Sequence, residues 1–319
     1  MTGSMESYRH TFHTMGTSVE MLLVGSAEAE PESVAAFALA RVLANEWERT
    51  FSRFRSDSEI SRLNARAEEL VAVSERLYAA IEIALEGSRL TGGIFDATVL
   101  PALLALGYDR TFKDIHDDGG QLAPARAPGI AGICLDPEHR RVSLPSGTQL
   151  DLSGVVKGLY VDLLAGMGGW QGGAISAGGD LRVWGTPPEG DRWIIGVEDP
   201  DNLNRDSALL RLDSGAVATS GTNRRNWRRA GRPVHHLVDP RTGLSARSGV
   251  RSVSVVSATG VQAEIAATAI AVGGLDARFE RSLFRRAVVI LDDGEQISIR
   301  GSLGGQADVD NVAVHAAAV

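Results

Sequence analysis

The stretch "AVVILDDGEQISIR", Ala287–Arg300, decides the fold class. Two runs of apolar and β-branched residues flank Asp293-Gly294, a dipeptide typical of a tight hairpin turn. A hairpin joins antiparallel strands, whereas neighbouring parallel strands need a long crossover, usually a helix. The C-terminal part of the chain is therefore predicted to contain antiparallel sheet.

Similar patterns occur earlier in the chain. Short apolar runs flank turns at Pro137–Arg140, Pro187–Gly190 and Ser214-Gly215, and each pair of runs is predicted to form a hairpin. Helical patterns at Val155–Met167 and Ala263–Val272 lie between the strands. The predicted fold class is therefore α+β, with mixed, largely antiparallel sheets and packed helices.

The N-terminal part is predicted to hold one buried strand, "VEMLLVG" (Val19–Gly25), and three helices. The first helix begins near Pro31, and its apolar side contains Val34, Ala38, Leu39, Val42 and Leu43. Ser56 and Glu59 form a capping-box pattern before the second helix. Ser74 is the predicted N-cap of the third, whose inner stripe is Leu77, Ile81, Ala84 and Leu85.

The chain is predicted to form one domain over residues 10–300, built from two lobes. A segment rich in Pro, Gly and Asp, residues 109–132, marks the internal boundary between the lobes. The small and polar residues 301–319 are predicted to be a frayed tail.

Composition narrows the functional classes. The 319 residues are 44% hydrophobic with a net charge of −8 and a pI near 5.4, as in an acidic globular protein. This acidity argues against a nucleic-acid partner or an anionic membrane surface. The arginine-rich segment 224–229 breaks the trend, and is either a contact for an anion or a solvated loop.

No disulfide can form within the chain, since Cys134 is the single cysteine. The sequence has no apolar run of membrane-spanning length, no signal peptide and no lipid-attachment cysteine near its start. We therefore expect a cytoplasmic protein without a membrane span. Phosphate-loop, dinucleotide-loop and H-E-x-x-H motifs are absent, and Ser176 in "GGAISAGG" only approaches G-x-S-x-G.

Lys157 is a charged residue in an unusual sequence context. It lies in the otherwise apolar "DLSGVVKG" (Asp151–Gly158), between Gly154 and Gly158. Further along, Glu264 and Thr268 lie one helical turn apart on the same face. Carboxylate, hydroxyl and backbone oxygens are the ligands that a hard cation such as Mg²⁺ takes.

Six ordered segments resemble the ApbE family of FAD:protein FMN transferases, from about Met15 to about Asp293. They are "MGTSVEM", "TGGIFDATVLP", "DLSGVVKG", "SAGGDLRVWG", "ATSG…HHLVDPRTG" and "AEIAATAIAVGG". The resemblance implies Mg²⁺-dependent transfer of FMN from FAD to a threonine hydroxyl of an acceptor flavoprotein, with a phosphoester formed and AMP released. Mn²⁺ is an alternative metal. The resemblance also implies that FAD lies in a cleft between the two lobes.

The resemblance further implies roles for individual residues. The residues implied to contact FAD are Met15, Phe54, Ile94, Phe95, Asp96, Asp151, Lys157 and Val238. Those implied to bind the metal are Gly154, through its carbonyl, with Glu264, Ala267 and Thr268. His236 and Thr268 are the implied catalytic residues, and Asp239 completes the family's H-x-x-D-P pattern. One departure is Glu264, where the family usually has Asp; metal binding is expected to survive, with an altered rate or metal preference.

Charge and conformation give these roles a physical basis. The pyrophosphate of FAD carries two negative charges, which Lys157 and Mg²⁺ would neutralise, while Gly154 and Gly158 would let the backbone approach the ligand. The alternative for Lys157 is a lysine that snorkels from a helix edge. His236 is either a general base or a residue that orients the following turn, and His235 would face the opposite way.

Other residues also have structural alternatives. Phe54 and Phe95 could belong to the core, Thr268 could bond back to a helix carbonyl, and Asp180 is interpreted as capping a turn. "DSGAVATS" resembles an acceptor sequence, but self-modification at Thr219 is disfavoured because the segment is predicted to be a strand. Two other functions remain open: an FAD pyrophosphatase that releases FMN and AMP, and a non-catalytic FAD-binding protein.

Overall fold

An eight-stranded sheet forms the centre of the molecule in the computed structural model, which describes residues 5–117, 121 and 123–311. All seven neighbouring strand pairs in this sheet are antiparallel. In spatial order the strands are β1 (Met5–Thr14), β2 (Thr17–Ser26), β6 (Gly172–Ala177), β7 (Asp180–Gly185), β10 (Gly215–Gly221), β15 (Val250–Ser257), β16 (Arg286–Leu291) and β17 (Gln296–Arg300).

One face of this sheet is covered by helices. The helices of the described residues are α1 (Glu30–Phe51), α2 (Glu59–Asn64), α3 (Glu75–Leu90), α4 (Leu100–Ala105), α5 (Ser153–Ala165) and α6 (Gly260–Gly273). Helix α6 packs on β10 and β15, and α5 packs on β6 and β7 as well as on α6. Short 3₁₀ turns occur at Ala27–Ala29, Ala97–Val99, Phe112–Asp114 and Arg281–Leu283.

The opposite face is covered by a three-stranded antiparallel sheet of β8 (Trp193–Asp199), β9 (Asn202–Leu212) and β18 (Asp308–Asn311). The side chains of β10 show how the central sheet separates two cores. Ala216 and Ala218 pack in the helix-side core, whereas Val217 packs with Trp193 and Leu210 on the small-sheet side. Successive side chains of a strand point to opposite faces, so one strand contributes to both cores.

Three smaller strand groups complete the described residues. They are β3 (Val71–Ala72), β4 (Cys134–Asp136) and β5 (Arg141–Ser143) in one sheet, β11 (Asn226–Arg229) with β12 (Arg232–His235), and β13 (Val238–Asp239) with β14 (Leu244–Ser245). All of these pairs are antiparallel, so the predicted α+β class with largely antiparallel sheets is confirmed. The hairpins β16–β17 and β4–β5 and the helices α5 and α6 are confirmed as well.

Two predicted hairpins are wrong. Strand β7 pairs with β6 and β10, while β8 pairs with β9, so the turn at Pro187–Gly190 connects two different sheets. For the same reason Ser214-Gly215 joins β9 of the small sheet to β10 of the central sheet. The physical cause is burial. Trp193 and Leu212 cover the valine face of the central sheet, which would stay exposed if β8 and β9 extended that sheet instead.

The predicted inner side of α1 is also wrong. Val34, Leu39 and Val42 are 61%, 46% and 54% exposed. The buried face instead carries Phe37, Ala40, Ala44, Trp47 and Phe51. These residues also follow helical spacing, and the aromatic side chains bury more apolar area than the competing aliphatic ones. The Trp47 indole gains a further 2.9 Å hydrogen bond to the carbonyl of Val156 on α5.

Ser74 is confirmed as the N-cap of α3, since its hydroxyl accepts from the Leu77 amide at 3.2 Å. The predicted cap of α2 is wrong, because Ser58 rather than Ser56 accepts from the Ser61 amide. Glu59 instead accepts from the amide and hydroxyl of Ser74. This contact ties the start of α2 to the start of α3.

The predicted frayed tail is wrong for the residues that can be described. Strand β18 pairs with β9 over Asp308–Asn311, and Ala307 is buried in the small-sheet core. Residues 312–319 lie outside the described residues. No helix in the described ranges combines the length and apolar character that a bilayer crossing requires.

Candidate active site

A cavity of about 550 Å³ lies where α5, α6, the loop before α4 and the strands β7, β8 and β10 meet. Its volume is in the range of small-molecule binding pockets. Ten of the residues that the sequence marks as site residues line it: Ile94, Phe95, Asp96, Asp151, Gly154, Lys157, His236, Val238, Glu264 and Thr268. These residues come from distant parts of the chain, so the fold brings the ordered motifs to one cleft.

Three of the marked residues do not line this cleft. Met15 has a left-handed backbone (φ 51°), packs against the core and donates its amide to Glu48, although its neighbours Gly16 and Thr17 line the cavity. Phe54 is 41% exposed, and its ring is tilted by 47° against that of Tyr108, with the centroids 5.7 Å apart. Ala267 is fully buried on the inner side of α6. For Phe54 the core alternative is therefore wrong, whereas Phe95 is buried and also contacts the cavity.

Lys157 is held between two carboxylates. Its ammonium donates to Glu264 Oε1 at 2.8 Å and also to Asp180 Oδ2. The side chains of Lys157, Asp180 and Glu264 are 16%, 2% and 6% exposed. Because the ammonium is bound inside the protein, the snorkelling alternative is wrong, whereas its contact with a phosphate of FAD stays a prediction. Asp180 is an ion-pair partner rather than the cap of a turn.

The three groups carry one positive and two negative formal charges. Burial lowers the pKa of Lys157, but Asp180 and Glu264 outweigh that effect and raise it. Burial and the neighbouring Asp180 raise the pKa of Glu264, because a single ammonium cannot neutralise two carboxylates. The two carboxylates therefore favour either a proton on Glu264 or a second cation in the cleft.

The donor set around Glu264 suits a hard cation. In the part of the chain that the structure describes, the hydroxyl of Thr268 has no hydrogen-bond partner, so the predicted alternative of a bond back to a helix carbonyl is wrong. Among the described residues, no group of three or more His, Cys, Asp or Glu side chains is arranged so that it could hold a metal ion. A metal here would instead combine one carboxylate with hydroxyl and backbone oxygens and water, a coordination that Mg²⁺ accepts.

The glycines of the lysine segment are explained by packing within the protein. A Cβ on Gly158 would lie 2.6 Å from the backbone of Gly260 and Val261, so this glycine lets α5 and α6 approach. A Cβ on Gly154 would lie 2.9 Å from the ring of Phe95. Gly158 does not line the cavity, so the expectation that it makes room for a ligand is wrong; Gly154 does line the cavity, and its expected role beside a ligand stays a prediction. The Gly158 amide also donates to Glu264 Oε2 at 3.1 Å.

Asp151 is fixed by an ion pair that the sequence did not reveal. Arg53 Nε lies 2.9 Å from Asp151 Oδ2, with both side chains buried. Arg53 Nη1 also donates to the carbonyl of Tyr108, and Asp151 Oδ1 accepts from the Ser153 amide at the start of α5. The carboxylate is thus held by both oxygens at the edge of the cleft.

Asp96 is buried beside the same cleft. Its Oδ1 accepts from the amide and the hydroxyl of Thr98, both at 2.8 Å, and caps the 3₁₀ turn that follows. Burial raises the pKa of Asp96, and the two bonds from Thr98 oppose the rise. The side chain is therefore positioned by its own turn before any ligand arrives.

His236 faces the cleft and His235 faces away, as the extended segment predicts. His235 Nε2 lies 3.1 Å from the carbonyl of Ala246, outside the cavity. His236 lines the cavity, and its buried Nδ1 has no partner among the described residues. Burial, assisted by the charge of Arg225, lowers the pKa of His236 to about 3. Its imidazole is therefore neutral near pH 7.

Sequence patterns missed several residues of this site. Arg53 and Asp180 each pair with a marked residue, but neither has a local motif that indicates its partner. Arg225 lines the cavity. For this residue, the interpretation of the arginine-rich segment as a solvated loop is therefore wrong. Thr219 lines the cavity too, and its hydroxyl lies 2.7 Å from that of Ser254.

Comparisons with known proteins place the chain in a family. The model of the ApbE family matches residues 15–285. A protein of Vibrio cholerae named FAD:protein FMN transferase is 30% identical over 231 residues, which cover 70% of this chain and 69% of that protein. A Klebsiella pneumoniae protein of the same name is 28% identical over 266 residues, covering 79% and 74%.

The fold agrees with a solved structure. The crystal structure of the ApbE protein from Thermotoga maritima matches with a TM-score of 0.79 at 27% identity, and the match covers 93% of this chain and 97% of that one. The match of the family model extends from Met15 beyond Val272, so it contains the entire lining of the cleft. By sequence and by fold, the chain belongs to the ApbE family.

Proposed function

We propose that this chain transfers FMN from FAD to a threonine hydroxyl of an acceptor protein, with Mg²⁺ required and AMP released. The observation that carries the proposal is the convergence of the lysine, H-x-x-D-P and Glu264–Thr268 segments on one cavity in an ApbE-family chain. The names of the relatives from Vibrio cholerae and Klebsiella pneumoniae support the same activity.

The cleft offers FAD both apolar and polar contacts. Ile94, Phe95 and Val238 supply apolar surface of the kind that an isoalloxazine or adenine ring covers. Asp151 supplies a carboxylate that Arg53 holds in place and that can accept hydrogen bonds from the nucleotide. Because these groups are already fixed, little ordering of side chains is needed when FAD binds.

Glu264 and Thr268, with the Gly154 carbonyl, would hold Mg²⁺, and Mn²⁺ could take the same oxygen ligands. When bound, the metal supplies charge neutralisation and Lewis-acid activation of the pyrophosphate. Glu264 already accepts bonds from Lys157 and Gly158, and each of its oxygens retains a second lone pair for a cation. Lys157 keeps the carboxylate oriented toward the cleft.

In the reaction, the bond from the threonine oxygen to the FMN phosphorus forms, and the phosphoanhydride bond to AMP breaks. The hydroxyl proton leaves the threonine. His236, neutral and with an unpartnered nitrogen, is the cleft side chain suited to accept it. The negative pyrophosphate next to His236 would raise its basicity when FAD is bound. Phosphoryl transfer otherwise depends mainly on positioning and charge.

Incubation with FAD, Mg²⁺ and a threonine-bearing acceptor peptide, followed by mass spectrometry, tests the proposal. We expect the peptide to gain one FMN and AMP to appear. Free FMN with unmodified peptide would instead indicate a pyrophosphatase. Bound but unchanged FAD would indicate a flavin-binding protein.

A further inference from the structure

The charged side chains that line the cleft are almost all paired. Lys157 is bound by Asp180 and Glu264, as described above. Arg224 donates to both oxygens of Glu198, at 2.6 and 2.5 Å. Among the described residues, Arg225 is the lining cation without a carboxylate partner.

The backbone of Arg225 is anchored beside His236. The carbonyl of Arg225 accepts from the His236 amide at 3.2 Å, which joins the residue before β11 to the residue after β12. The side chain of Arg225 is partly buried and contributes to the cavity wall. A guanidinium in this position is partly desolvated, so its attraction to an anion is stronger than at an exposed site.

The neighbours of Arg225 supply no negative charge that would neutralise its guanidinium. His236 is neutral, and Ser220 and Asn223 add only uncharged polar groups to the adjacent wall. Arg224, the preceding residue, is already paired with Glu198. A ligand with a negative charge beside Arg225 would therefore be favoured over a neutral one.

We propose that Arg225 binds the pyrophosphate of FAD and makes the cleft prefer phosphorylated flavins to riboflavin. This inference rests on the proposed function. The negative charge of FAD lies entirely in its pyrophosphate, since the isoalloxazine and adenine rings are neutral near pH 7. A guanidinium can donate two parallel hydrogen bonds to phosphate oxygens. Lys157 has only one N–H left after its bonds to Asp180 and Glu264, and these carboxylates already balance its charge, so it attracts an anion less than Arg225 does.

Binding of riboflavin, FMN and FAD to the purified chain tests this inference, because the three ligands share one ring system and differ in phosphate. The test variants are Arg225→Gln and Arg225→Lys. The matched control is Arg228→Gln, which removes the same charge from an exposed position on β11. Isothermal titration calorimetry gives the Kd of each protein variant for each of the three ligands, at low and at high salt.

For Arg225→Gln we expect a loss of affinity for FAD of about tenfold or more, equal to about 1.4 kcal/mol. Its affinity for riboflavin should stay within about twofold of the parent's, and the salt dependence of FAD binding should flatten. Arg225→Lys should recover part of the loss, because it restores the charge without the planar fork. The control Arg228→Gln should match the parent for all three ligands.

Two results would overturn the inference while leaving the proposed function intact. In the first, the parent binds FAD and the Arg225→Gln variant binds FAD with the same affinity. This result would count against the inference even if the KM of the variant for an acceptor rises. The other is an equal loss for riboflavin and FAD, which would mean that Arg225 only maintains the local structure. A parent chain that does not bind FAD at all would refute the proposed function itself.

Discussion

The ammonium of Lys157 on α5 donates a 2.8 Å hydrogen bond to Oε1 of Glu264 on α6, although the two residues are 107 positions apart. Asp180, at the start of β7, accepts from the same ammonium. One buried lysine thus joins two helices to the central sheet at the wall of the cleft. Removing one partner from such a group leaves an uncompensated buried charge, which is strongly destabilising.

Lys157→Met should therefore lower the free energy of unfolding by about 3–5 kcal/mol, because Asp180 and Glu264 lose their cation. Urea denaturation measures the change. Lys113→Met, at an exposed lysine, is the matched control and should stay within about 0.5 kcal/mol of the parent. Equal stability of both variants would mean that the buried ion pairs contribute little to the fold.

Glu264→Asp should reduce FMN transfer. The Glu264 carboxylate reaches both Lys157 and the Gly158 amide, and a side chain one methylene shorter cannot keep both contacts without movement of α6. Glu264→Gln should reduce transfer further, since it removes a charge. The stability of Glu264→Gln should fall less than that of Lys157→Met, because Lys157 keeps its ion pair with Asp180. A Gln variant with full activity would show that Glu264 does not bind the metal.

Thr268→Val should abolish most Mg²⁺-dependent transfer and weaken Mn²⁺ binding, measured by electron paramagnetic resonance. The stability should change little, because the hydroxyl has no partner to lose among the described residues. Thr50→Val is the matched control, since the Thr50 hydroxyl bonds to a carbonyl of its own helix, Glu46, away from the cleft. Unchanged metal affinity in Thr268→Val would place the metal elsewhere.

Gly158→Ala should destabilise the fold by about 1–3 kcal/mol through overpacking. The added methyl would lie 2.6 Å from the backbone of α6, which has no flexible side-chain end that could yield. Gly166→Ala, at the end of the same helix, is the control: its nearest contacts would be at 3.4 Å, and it should be neutral or stabilising. Thermal unfolding distinguishes the two.

His236 should make the stability depend on pH. Its pKa is about 3 in the folded state against an ordinary value of 6.5, so the unfolded chain binds the proton more readily. Its contribution is complete above pH 6.5 and is lost as the pH falls toward 3. The slope approaches about 1.4 kcal/mol per pH unit for one proton. Between pH 7 and pH 5, the midpoint of urea denaturation should fall less for His236→Asn than for the parent. An equal fall in both proteins would contradict this prediction.

Local patterns predicted the elements that local interactions determine. The Asp293-Gly294 turn fixes the β16–β17 hairpin, and the Ser74 cap fixes the start of α3, because the contacts involved are near in sequence. The pairing of β7 with β10 was not predictable in this way. It depends on which surface Trp193 and Leu212 can bury, and that surface comes from distant strands.

In the site, too, local patterns predicted the motif residues but not their long-range partners. The ordered motifs identified ten residues that line one cleft, because each motif contains its own polar and glycine residues. They did not identify the partners of those residues. Arg53 holds Asp151 and Asp180 holds Lys157 across 98 and 23 positions, respectively, and no local pattern encodes a contact at that range. Gly158 also suggested a ligand where the backbone of Gly260 is the actual neighbour.

On the proposed function, this cleft couples release of AMP from FAD to modification of a threonine. The most direct measurement is a time course with the parent chain, FAD, Mg²⁺ and an acceptor domain, in which AMP is quantified by chromatography and flavinylated acceptor by intact mass. We expect equimolar amounts of the two products, and neither product when Mg²⁺ is chelated or when the acceptor threonine is replaced by alanine. AMP released with free FMN, at the same rate whether or not the threonine is present, would show that the cleft does not couple the two events.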